Sequence, residues 1–191
     1  TLGGGGFAAD ARRVRGPRSR LDPGGQRAPD PRSRAIAAQG SYLALELGVQ
    51  RIVFVGTANS CGYGNRQSPG DETRPYNSAH YGLGYMDTKR EAQELVLKMV
   101  KERGLPAAVV NPTFMFGPYA AKTGATLMID NILHGKLAGY TPGGRNYVAV
   151  KDVCVGIANA LERATPGSCY LLGNQNMNYR EVFNLIAEVL K

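Results

Sequence analysis

The 191-residue sequence predicts an α/β fold built on a parallel sheet. Three observations carry the prediction. First, the apolar runs Arg51–Val55, Ala107–Val110 and Tyr170–Leu172 are short and rich in β-branched or aromatic residues, as strands covered on both faces are. Second, longer segments of helical period separate them. Third, the resulting order (helix, strand, helix, strand, helix, strand, helix) is that of parallel strands joined by crossover helices.

Residues 1–34 stand outside this rhythm. Gly, Pro and Arg dominate them, and no apolar period lasts beyond a turn. Such a stretch cannot bury enough surface to offset its ordering entropy, so it reads as a disordered tail preceding a domain over 35–191. The tail holds eight Arg against three Asp and so supplies most of the net charge of +8. The basic balance therefore says little about what the domain binds. Arginines without interleaved aromatics read as a solvated tail rather than a nucleic-acid arm. The prolines and the scarcity of serine argue against a mitochondrial leader.

Order begins near Ser33. RAIAAQGSYLALELG carries Ile36, Leu43 and Leu47 as apolar positions with alanines between, and stops at Gly48. The strand Arg51–Val55 follows, then a Gly-, Asn-, Ser- and Pro-rich loop from Gly56 to Pro75. A helix is predicted from about Leu83 to Arg103, with Leu95, Val96, Met99 and Val100 as its stripe and Gly104 as its end. Steps of three and four residues extend that stripe through Ala92 to Lys89 and Tyr85, which places two polar residues on a buried face. After the strand Ala107–Val110, NPTFMFGP reads as a turn-rich crossing. A helix over 125–137, a turn and short extended segment in YTPGGRNYVAV, and a helix capped by Asp152 come next. That helix should bury Val153, Ile157, Ala160 and Leu161. The strand Tyr170–Leu172 precedes a last helix, opened by Asn178 and Glu181 as a capping box.

Composition narrows the function classes. Cys61, Cys154 and Cys169 are odd in number and scattered, and with only two histidines a zinc site or disulfide framework is not indicated; a reducing cytoplasm is the expected setting. No metal site is predicted. No apolar run approaches the ~18–20 residues that span a bilayer.

Tyr85 and Lys89 form a Tyr-x-x-x-Lys pair at the mouth of the long helix, and Thr57 ends the strand RIVFV upstream. Alone, such a pair arises easily by chance. Its surroundings are more specific: GVQRIVFVGTAN, SPGDETRP, NPTFMFGP and RNYVAVKDV occur in order at consistent spacing. From Gly48 onward the chain resembles the extended short-chain dehydrogenase/reductases, the NAD-dependent epimerase/dehydratase family, in which dihydroflavonol-type reductases and sugar epimerases share these phrases.

That resemblance implies a Rossmann-like, doubly wound parallel sheet with a small C-terminal substrate-binding part. It also implies NAD or NADP as cofactor, and hydride and proton transfer on a nucleotide-sugar or a small hydroxy or keto metabolite. Carried over by motif, Tyr85 is the proton-transferring phenol, Lys89 holds the ribose hydroxyls and favours the phenolate, and Thr57 orients the substrate oxygen. A phenol is a poor base at neutral pH, and an ammonium one helical turn away stabilises its anion. Asn111, Pro112, Thr113 and Phe114 would line the nicotinamide side, and Arg145 would face substrate phosphate. A homodimer through the Tyr/Lys helix is a further hypothesis.

Each residue has a plainer reading. Thr57 could be a turn residue bonding its own backbone, with Ser60 in reserve as the hydroxyl, since Gly56 stands where the family commonly has another small hydroxyl residue. Tyr85 and Lys89 could be an exposed helix pair with packed stems. Asn111 to Phe114 could be a simple strand-to-loop turn, Arg145 a solvated turn residue and Asp152 only a cap. The family's G-x-x-G-x-x-G turn is matched only by Gly3, Gly6 and Ala9, with no strand before them. The chain thus reads as the C-terminal two-thirds of such an enzyme. The alternative is a truncated, non-catalytic relic.

Overall fold

The computed structural model describes residues 32–119, 124–137 and 139–190. The expected tail over 1–31, with Gly3, Gly6 and Ala9, lies outside them. Arg32 to Arg34, assigned to the tail from sequence, instead open the first helix, α1 (Arg32–Glu46).

α1 turns a different face inward from the one its large residues suggest. Ala37, Ser41 and Ala44 are buried, whereas Ile36, Leu43 and Leu47 are 55–77% exposed. The small residues recur at helical spacing and let α1 approach α2 (Gly84–Arg103) closely. The large ones fall on the opposite side. Gly48, at φ 63, ends the helix in the left-handed conformation, with the Val49 N–H returning to the Ala44 carbonyl at 2.9 Å.

Three strands form the main sheet, in the order β1 (Ile52–Val55), β2 (Ala107–Pro112), β5 (Cys169–Leu172), all parallel. Every residue of β2 is buried, as expected of a central strand covered on both faces. Ala107 and Val109 join the cluster formed with α1 and α2 through Ala92, Val96, Met99 and Leu105. On the other face α4 (Val150–Arg163) packs across β1 and β2. Helices on both faces of a parallel sheet are the doubly wound arrangement that the sequence predicts.

A second sheet holds β3 (Phe114–Phe116), β4 (Gly144–Ala149) and β6 (Gln175–Asn178). NPTFMFGP therefore holds strand where the sequence suggests a turn-rich crossing: Asn111 and Pro112 finish β2, the three residues after Thr113 make β3, and Gly117 and Pro118 leave the sheet. Pro112 is tolerated because its nitrogen faces past the end of β1, whose register stops at Val55 against Val110. The polar run β6 gives no strand signal in the sequence and is held by antiparallel pairing with β4. α3 (Gly124–Leu133) and α5 (Tyr179–Val189) complete this smaller part.

Two helix starts contrast. Asn178 caps α5 as the sequence predicts: its side chain accepts from the Glu181 N–H at 2.8 Å, and the Glu181 carboxylate accepts from the Asn178 N–H at 2.8 Å. Asp152 does not cap α4. The cap is Ala149, and Asp152 is the third helical residue, in the first turn where the helix dipole favours a carboxylate. Of the positions expected to face inward on α4, Val153 is buried but Leu161 is 46% exposed.

Candidate functional site

The site is assembled where β1 ends and α2 begins. Gly56 and Thr57 follow β1, and Thr57 opens a single 3-10 turn, Ala58–Ser60, accepting from the Asn59 N–H at 3.3 Å. Thr57 thus stands at the strand end, its oxygen accepting from local backbone and its hydroxyl hydrogen left to donate. Ser60, the reserve hydroxyl, is wholly buried within that turn.

Arg90 ties this turn to α2. Its Nη1 donates to the Ser60 carbonyl at 2.9 Å while Nε pairs with Glu94 at 2.7 Å. Arg90 also lies over the Tyr76 ring at 6.0 Å, and the Tyr76 hydroxyl donates to Asp87 at 2.8 Å. The loop between β1 and α2 is therefore fastened to the first turns of the helix. Its SPGDETRP segment is ordered by Asp71, whose carboxylate accepts from Thr73 and Arg74, and those bonds hold its pKa low. Glu72 reaches across to accept from the Leu171 N–H on β5 at 2.7 Å.

Tyr85 and Lys89 do not continue the buried stripe. That line runs through Gly84, Thr88, Ala92, Val96 and Met99, with the Thr88 hydroxyl satisfied by the Gly84 carbonyl at 2.7 Å. Tyr85 and Lys89 lie one position to the side: Tyr85 is 58% exposed, and Lys89 is half-buried with its ammonium 5.9 Å over the Tyr85 ring. Threonine can occupy the buried position because it returns its hydroxyl to the preceding turn, which neither a phenol nor an ammonium does.

Asn111 to Phe114 separate into different roles. Asn111 is wholly buried, its Nδ2 donating to Cys61 Sγ at 3.6 Å. Pro112 is buried at the end of β2. Thr113 Oγ1 donates to Asn146 Oδ1 at 2.9 Å, linking the two sheets. Phe114 belongs to an aromatic group with Phe116 and Tyr147, centroids 5.5 to 5.6 Å apart. Arg145 joins that group. Its guanidinium stands 4.8 Å from the Phe114 centroid and 5.4 Å from that of Tyr179, whose hydroxyl accepts from Nη2 at 2.6 Å and from Nε at 3.2 Å. Beside it the Tyr147 phenol is raised by burial, opposed by the Arg145 charge.

Tyr85 and Lys89 thus stand together at the start of α2, to which Arg90 ties the turn that follows Thr57, while Phe114 and Arg145 meet at the second sheet. Sequence reasoning missed Arg90, Gln93, Asn146 and Tyr179. Only Gln93 carried a signal, as a polar residue inside the helix beside Ala92. Among the described residues no cluster of three or more His, Cys, Asp or Glu could hold a metal ion, and no helix is long and apolar enough to cross a membrane.

The model of the NAD dependent epimerase/dehydratase family matches residues 41–173. The chain is 25% identical over 150 residues to sterol demethylase protein B of Methylococcus capsulatus (strain Bath), covering 76% of this chain and 44% of that protein. Among solved structures it superposes on gox2253 with a TM-score of 0.79 at 31% identity, covering 85% of this chain and 51% of that one. It also superposes on dTDP-glucose 4,6-dehydratase of Bacillus anthracis str. Ames, solved in complex with NAD, with a TM-score of 0.72 at 25% identity, covering 83% of this chain and 51% of that one. The chain spans about half the length of the relatives it matches.

Proposed function

Because this chain belongs to the NAD dependent epimerase/dehydratase family, we propose that it carries the proton-transfer end of an NAD(P)-dependent oxidoreductase or epimerase. In this reading Tyr85 is the acid–base, Lys89 its electrostatic partner and Thr57 the hydroxyl that orients the substrate oxygen. The observation that carries it is the Lys89 ammonium 5.9 Å over the exposed Tyr85 ring, on a helix start that Arg90 fastens to the turn after Thr57.

The residues present fit one end of a dinucleotide. Tyr85 presents its phenol outward, and Lys89 offers three donors beside it for ribose hydroxyls. Among the described residues no strand leads into a G-x-x-G-x-x-G turn for the pyrophosphate. A bound dinucleotide would supply or accept hydride. Tyr85 would then give or take the proton of the substrate hydroxyl, and Lys89 would stabilise the phenolate while that proton is away. Thr57 would donate its hydroxyl hydrogen to the substrate oxygen while its oxygen still accepts from the Asn59 N–H. Arg145, set by Phe114 and Tyr179, keeps N–H groups that suit a phosphate, which favours a nucleotide-sugar over a small hydroxy or keto metabolite.

A second reading is a non-catalytic relic of such an enzyme. Titration with NADH and NADPH, followed by cofactor fluorescence, separates the two. Saturable binding that disappears in Lys89→Ala is the expected result. Absence of saturable binding to the wild-type chain would reject the enzyme reading for this chain.

A further inference from the structure

The line of Tyr85 and Lys89 continues one turn further along α2, to Gln93. Gln93 is only 2% exposed, whereas the pair before it is open. Its Nε2 donates to Cys169 Sγ on β5 at 3.8 Å, and its Oε1 has no hydrogen-bond partner. Across from it on β2, wholly buried Asn111 donates from Nδ2 to Cys61 Sγ, and its Oδ1 is equally without a partner. The two oxygens converge on Gly56. A Cβ placed there would strike Asn111 Oδ1 and stand 3.5 Å from Gln93 Oε1. The Ser60 hydroxyl, in the turn that follows Thr57, is a third buried oxygen without a partner.

Buried acceptors left without a donor cost about 1–3 kcal/mol each, and two that flank one residue can share a donor. Cys61 and Cys169 are held protonated, chiefly by burial, so no anion stands ready to balance a metal ion, and the Arg90 cation lies near both thiols. A neutral species with two hydrogens to give fits such a place, and that is water.

We propose that Gln93 and Asn111 hold one ordered water beneath Gly56, and that this contact registers the Tyr85–Lys89 face of α2 against the Thr57 turn. The positioning role rests on the reading above, in which those three residues do the chemistry. Apart from the Arg90 bond to the Ser60 carbonyl, α2 is seated through Thr88, Ala92, Val96 and Met99, a small and largely apolar stripe with little directional preference. A second directional polar contact, one turn beyond Lys89, fixes the rotation of this face more tightly. Gln93 is thus a positioning residue, as is Asn111, and Gly56 is glycine because the Asn111 amide occupies the space of its side chain.

The test is a pair of high-resolution crystal structures, of the wild-type chain and of Gln93→Met, with NADH titrations of both. Methionine fills the space of the glutamine but offers no amide. The wild type should show a water at ~2.7–3.2 Å from both amide oxygens. The variant should lose that water, shift Tyr85 relative to Thr57, and bind NADH about fivefold more weakly or worse, the equivalent of one lost ordinary hydrogen bond. A wild-type structure with Gln93 turned to donate directly to Asn111 Oδ1, or with no water between them, overturns the site. An unmoved Tyr85 in the variant, or unchanged NADH affinity, overturns the positioning role. Should the wild type fail to bind NADH, the enzyme reading falls, while the water and the Tyr85 position still decide this proposal. If Gln93→Met does not fold, the wild-type density alone decides the water.

Discussion

Gly56→Ala tests the packing at the strand end most directly. Its new methyl group would meet Asn111 Oδ1 at a distance that real side chains do not tolerate, with Gln93 Oε1 at 3.5 Å. Neither neighbour yields easily: Asn111 is wholly buried on the central strand and bonded to Cys61, and Gln93 is buried and bonded to Cys169. Overpacking of this kind costs about 1–3 kcal/mol. The lower entropy of the unfolded alanine chain returns roughly 0.4–1 kcal/mol. A net loss of about 1–2 kcal/mol should lower Tm by ~2–8 °C in a chain of this size. The decisive comparison is a double-mutant cycle with Asn111→Ala, read by urea denaturation. Once the amide is gone the alanine at position 56 has room, so Gly56→Ala should then cost almost nothing, a coupling of about 1 kcal/mol or more. An equal cost in both backgrounds would show that the glycine does not answer to Asn111, and the account of why the Thr57 turn sits where it does would fail.

Two further outcomes follow from burial elsewhere in the fold. In the folded protein a thiol-specific reagent should modify exposed Cys154 first and leave Cys61 and Cys169 slow, because burial restricts access to both and raises their pKa; equal rates at all three would contradict that packing. Burial, then the hydrogen bond to Asp87, pushes the Tyr76 phenol up to about 12 from an ordinary 10.0. Its folded value is the higher one, so its stabilising contribution is complete below pH 10 and is lost as pH rises through about 12. Tyr76→Phe should flatten the fall of the urea midpoint across that window, and an unchanged slope would reject the assignment.

The elements most legible in the sequence were those whose signal is local. The short β-branched strands announce themselves because a central parallel strand must be apolar on both faces, and β2 is. Asn178 and Glu181 announce a helix start because the box is closed by two bonds within four residues. What could not be read depends on partners distant in sequence. β6 is polar and exists because β4 pairs with it. α1 carries two candidate faces, and only the approach of α2 selects Ala37, Ser41 and Ala44 over Ile36, Leu43 and Leu47. Asp152 looks like a cap because caps and first-turn carboxylates have the same composition and differ by where β4 happens to end.

The candidate site shows the same division within a single helix. Tyr-x-x-x-Lys is readable because one helical turn separates the two residues wherever the helix lies, so their mutual distance is a local fact. Which side of α2 they occupy is not local. A stripe counted back from Leu95 in steps of three and four reaches Lys89 and Tyr85, while one counted back from Val96 reaches Ala92, Thr88 and Gly84. The sheet selects the second: Val96 is 2% exposed, and Leu95 is only half-buried. The selection has a chemical consequence. A Tyr85 packed into the core would be out of reach of any substrate, whereas one position of rotation leaves it 58% exposed beside Lys89 and brings Gln93, two turns on, against the strand end. Gln93, which no periodicity in the sequence singled out, thus lies on the same line as the two readable residues but on its buried end.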